Sequence, residues 1–144
     1  MTSNNSIRHL EDYKNNIKIK LAALWVSVTL CYLYGDYFEL YVPKKVDGLI
    51  SGVNMLDSPS KLFLAAFLLA IPAVMVFLSV VLKPAINRWL NIIFGIFFTL
   101  FVSLVAIASI SSRWLNFYVF LAVVEIVITS IIVWFAWTWP KQKE

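Results

Sequence analysis

Residues 25–43 read WVSVTLCYLYGDYFELYVP, a run greasy enough for the end of a membrane helix that nevertheless holds two acids, Asp36 and Glu39. At about 100° per residue, Trp25, Thr29, Tyr32, Asp36 and Glu39 fall within an arc of roughly 80°. They make one polar and aromatic stripe on a helix whose other faces carry Leu, Val, Tyr and Phe. A carboxylate in hydrocarbon costs about 2.5–3.5 kcal/mol on insertion scales. The stripe must therefore face protein or water, and the rest of the chain has to supply that surrounding.

Composition states the same requirement for the whole molecule. Of 144 residues, 61% are hydrophobic, 16% aromatic and only 14% charged, against about 45–50% apolar in soluble domains. There is room for four spans of about 20 residues with short connections and little for anything else. The expected fold is all-α: one integral membrane domain over residues 1–144, a four-helix bundle with both termini cytoplasmic.

Working outward, the spans are expected near 17–41, 61–83, 86–110 and 114–139, with a polar leader over 1–16 and an outer loop over 42–60. The leader lacks the order of a cleavable signal peptide, so the first span is expected to be retained. Ile7, Leu10 and Tyr13 would share one side of a short surface helix in it. In the outer loop, Val46 to Leu56 is too short to cross but apolar enough to lie at the interface or cap the bundle. Pro72 sits inside the second span, where a proline is expected to kink the helix. Small residues share faces on the second span (Ala66, Ala70, Ala73) and the third (Gly95, Thr99, Ser103), which favours close helix contact and a homo-oligomer.

The net charge of +4 does not point to nucleic acid, because the basic residues flank the apolar runs. With the N-terminus inside, Arg8, Lys14, Lys18, Lys20, Lys83, Arg88, Lys141 and Lys143 are cytoplasmic, and Lys44, Lys45, Lys61 and Arg113 lie outside. That excess sets the orientation and a multi-pass place in the cell inner (plasma) membrane. RWLN occurs at 88–91 and again at 113–116, each time opening a span; it reads either as a duplicated headgroup-binding element or, the favoured reading, as interface anchoring by Arg and Trp with Asn tolerated at a helix start.

The fourth span carries a second stripe: Trp114, Tyr118, Ala122, Glu125, Thr129 and Ala136 lie within roughly 80°, with Glu125 about 16 Å in from Trp114. No Lys or Arg lies deep in a span to neutralise the acids. Glu125 is expected to hydrogen-bond Tyr32, Thr29 or Thr99, to line a water-filled cavity, or to bind a cation. Asp36, preceded by Gly35 and surrounded by Tyr32, Tyr34, Tyr37 and Tyr41, adds hydroxyls and π faces. The candidate ligand- or ion-binding set is thus Asp36, Glu125, Glu39, Tyr32, Thr29 and Tyr37. Cys31 is the lone cysteine and His9 the lone histidine, so neither a disulfide framework nor a metal cluster is expected, and no cofactor. Glycine-rich phosphate loops and nucleophile elbows are absent, which argues against an enzyme.

YLYGDYFELYVP, NRWLN and the closing VVEIVITSIIVWFAWTWP together resemble an uncharacterised family of small four-helix bacterial membrane proteins, marked by a Tyr-x-Asp motif late in the first span and a Trp-Pro ending. The resemblance covers Leu21 to Pro140 and implies the four-span plan but no site roles. A likeness to DoxX-type proteins extends to overall shape only. The expected partners are the lipid bilayer, a cation or small-molecule ligand and a second copy of the chain. The expected function is ligand binding or transport of a cation, proton or small ligand at an outward-facing acidic-aromatic site; the alternative is an accessory subunit whose acids only hydrogen-bond between helices.

Overall fold

The computed structural model describes residues 16–140. The leader with its expected surface helix, and Arg8, Lys14, Lys141 and Lys143, lie outside the described residues. Within them there are five α-helices and no strands: α1 (Ile17–Glu39), α2 (Lys45–Ser51), α3 (Pro59–Val81), α4 (Pro84–Ser109) and α5 (Asn116–Trp137), the last entered through a 3-10 turn at Arg113–Leu115. α1, α3, α4 and α5 are long and apolar enough to cross a membrane; α2 is not.

Helix starts follow from local chemistry. The Asn16 side chain accepts a hydrogen bond from the Lys18 amide, and Ser58 does the same for Lys61. Pro59 and Pro84 occupy the first turns of α3 and α4, where a missing N–H costs nothing. Both helices therefore begin two residues ahead of the expected 61 and 86, with Pro84 itself the first residue of α4. Pro72 is buried inside α3, which continues through it without interruption.

α4 packs broadly on α5, and α1 packs on both α3 and α5, whereas α3 and α4 meet only narrowly. Leu21, Trp25, Val28, Met75, Phe98 and Ile132 form the core, with Trp25 edge-on to Phe98 at 6.0 Å. Gly95 supplies the closest approach of α4 to α5: a Cβ there would stand 2.7 Å from Val133 Cγ2. One turn on, Thr99 donates to Thr129 Oγ1 at 2.7 Å, and Thr129 donates to the Glu125 carbonyl at 2.8 Å. The Gly95–Thr99 face, expected to serve contact between copies, is thus spent inside the chain; Ala66, Ala70 and Ala73 on α3 stay exposed.

A buried polar network pins one end of the helices. Trp25 Nε1 donates to Asn91 Oδ1 at 2.7 Å, Asn91 Nδ2 donates to Asn87 Oδ1 at 2.7 Å, and Asn87 Nδ2 donates to the Ser79 carbonyl at 2.6 Å. These side chains are fully buried and tie α1, α3 and α4 together. Lys18 adds a bond from Nζ to the Leu82 carbonyl at 2.6 Å, satisfying the open C-terminus of α3. The two RWLN copies consequently differ: Asn91 is central to this network and Asn116 is exposed. Reading both asparagines as residues merely tolerated at a helix start missed that.

Candidate functional site

At the opposite end, where α1 finishes and α3 begins, nothing comparable among the described residues holds α3 to α4. A cavity of about 350 Å³ opens among all four long helices there, a size in the range of small-molecule sites. α1 contributes Cys31, Tyr32, Gly35, Asp36 and Glu39 to its wall, and α5 contributes Tyr118, Leu121, Ala122 and Glu125. The rest is apolar, from Leu68 and Leu69 on α3 to Phe101 and Val102 on α4. The acid-bearing parts of the two stripes inferred from helical spacing, Tyr32, Asp36 and Glu39 on α1 and Tyr118, Ala122 and Glu125 on α5, therefore line one space.

The mouth is organised by Tyr118. Its hydroxyl donates to Glu39 Oε2 at 3.0 Å and stands 3.4 Å from Asp36 Oδ1, clasping α1 to α5. Gly35 makes room for the ring, since a Cβ there would meet Tyr118 Cε1 at 3.3 Å. Glu39 also pairs with Lys45 at the start of α2. The chain reverses after Pro43 through Lys44, which takes the left-handed conformation at φ 65°, and this turn brings Lys45 back over the helix end. Met55 and Leu56 from the same connection complete the rim. Of the stretch expected at the interface or over the bundle, these two residues reach the cavity.

Glu125 lies deeper, seven residues along α5 from Tyr118 and so about 10 Å further in. It is 4% exposed, and among the described residues its carboxyl has no hydrogen-bond partner. None of the hydroxyls expected to satisfy it does so. Thr29 donates to the Trp25 carbonyl, Thr99 is taken up by Thr129, and the buried Tyr32 hydroxyl, on the same cavity wall, is itself unpartnered.

Four of the six candidate residues, Asp36, Glu39, Tyr32 and Glu125, line the cavity, and two do not. Thr29 lies in a shallow groove between α1 and α3 with Val26, Leu30, Ala73 and Val76. It marks one edge of the 80° stripe and Glu39 the other, and the cavity lies beyond the Glu39 edge, toward Gly35 and Cys31. Tyr37 is about 100° round the helix from Asp36 and spends its hydroxyl on Tyr41 at 2.8 Å, on the exposed side. Two contributors escaped the sequence reading. Tyr118 was visible only as a member of the α5 stripe. Lys45 lies outside every span, so a search for bases within spans passed over the partner of Glu39.

Comparison with known proteins places the chain without assigning it an activity. The profile of the Family of unknown function (DUF6326) matches residues 8–144. The chain belongs to that family. No curated protein and no solved structure matches it. Membership thus agrees with the resemblance carried by YLYGDYFELYVP, NRWLN and the Trp-Pro ending, and the site has to be argued from its own geometry.

Proposed function

We propose that this DUF6326 chain is a multi-pass protein of the plasma membrane, a four-helix bundle with both termini in the cytoplasm, whose outward-opening cavity binds a cation, proton or small ligand. One observation carries the proposal: Glu125 is buried in the cavity wall with no partner for its carboxyl among the described residues. An acid set this deep in a membrane helix marks a functional group by default. Asp36 and Glu39 at the mouth extend the negative charge toward it, and the excess of basic residues on the other side supports an outward mouth.

The accessory-subunit reading keeps one specific observation in its favour: Tyr118 does hydrogen-bond an α1 acid from α5, as an interhelical anchor would. Cys31 separates the two, because the only cysteine of the chain lies on the cavity wall. In spheroplasts, a cationic trimethylammonium-ethyl thiosulfonate added outside is expected to modify Cys31 several-fold faster than its anionic sulfonate analogue. Asp36→Asn with Glu125→Gln should abolish that preference. A folded chain inert to both reagents would leave the acids as structural groups.

A further inference from the structure

The cavity narrows the class of ligand, and the narrowing rests on the reading of the space as a binding site. Three properties decide it. Its charge is acidic: Asp36, Glu39 and Glu125 line it against one base, Lys45, already paired with Glu39. An anion therefore meets net repulsion on entry. Its acids are also dispersed. Among the described residues no three His, Cys, Asp or Glu side chains come together in a set able to hold a metal ion, whereas a bare divalent cation needs about six oxygen ligands around one point. Finally, most of the wall is hydrocarbon, with Leu68, Leu69, Phe101, Val102, Leu121 and Ala122 surrounding the acid in about 350 Å³. Such a wall rewards an apolar body and offers little to a hydrated ion.

We propose that the cavity takes an organic cation: a protonated amine on a compact apolar body, its ammonium set on Glu125 and its hydrocarbon against the Leu, Phe and Val wall. The one acid left without a partner is then matched: the Glu125 carboxyl accepts a charge-assisted hydrogen bond from the ammonium. A neutral apolar guest would bury Glu125 still further without a partner, so charge and apolar bulk are both required. The amine is a free solute. A lipid headgroup would have to carry its phosphate past Asp36 and Glu39.

The test uses the full chain in phosphatidylcholine nanodiscs, with empty discs as the blank, and three probes: 1-adamantylamine, its neutral isostere 1-adamantanol, and calcium ion alone. Adamantylamine is expected to bind saturably, at least about tenfold tighter than adamantanol. Glu125→Gln should remove that margin. Equal affinity of amine and alcohol for the unaltered chain, a comparison that needs no variant, would overturn the proposal. So would saturable binding of calcium without the amine, which would leave the binding-site reading standing. Failure of all three probes, together with an inert Cys31, would remove both. Competition by phosphatidylethanolamine added to the discs would move the source of the amine to a headgroup and overturn the free-solute assignment alone.

Discussion

The Asn91 side chain uses both its ends: its oxygen takes the Trp25 indole N–H and its amide reaches Asn87. Replacing it by Leu leaves the indole and the Asn87 oxygen buried without partners, each loss costing about 1–3 kcal/mol. Asn91→Leu is therefore expected to lower stability by at least about 2 kcal/mol in detergent unfolding, while Asn116→Leu, at the same place in the second RWLN, changes it by less than about 0.5 kcal/mol. Glu125 is the opposite case, a buried group with no bond to lose. Glu125→Gln is expected to leave the melting temperature unchanged or to raise it, because the acid contributes a cost and no contact. A clear fall would make Glu125 an anchor between helices. At this scale the sequence exposed which groups are expensive to bury, but identical tetrapeptides gave no hint that one asparagine is buried and the other exposed.

Elements were the more legible scale, because a membrane span announces itself by length and hydropathy, properties local to the chain. Pro59 and Pro84 shifted the helix starts by a turn fraction only. The partner of each face was less readable. The Gly95, Thr99 and Ser103 run was read correctly as a close-contact face, yet spacing could not say whether α5 or a second copy would meet it. With Val133 Cγ2 2.7 Å from the position of a Gly95 Cβ, Gly95→Leu is expected to force α4 from α5. The cost should be about 2 kcal/mol, within the usual 1–3 kcal/mol of overpacking, seen as a lower unfolding midpoint. An equal enlargement on the exposed α3 face, Ala70→Leu, should be near neutral in the monomer.

On the scale of the whole molecule, the Trp25–Asn91–Asn87 network pins α1, α3 and α4 at one end, while at the other Tyr118 clasps α1 to α5 and the cavity opens among the four long helices. The proposed four-span plan returns the chain to the side from which it started. A green fluorescent protein fused after Glu144 is therefore expected to fluoresce in the cytoplasm, and an alkaline phosphatase at the same point to stay silent; the reverse pair would turn the mouth inward and reassign Lys44, Lys45 and Lys61. By itself the sequence determined a helical membrane chain and the acids that need shelter, because hydropathy, length and angle about a helix axis are all set by the residues of one segment. Which acid meets which neighbour was decided only in three dimensions. The angle of a side chain about its own helix does not say where the next helix stands. So Thr29, on the stripe, was left facing a groove between α1 and α3, while Lys45, on no stripe at all, arrived at Glu39.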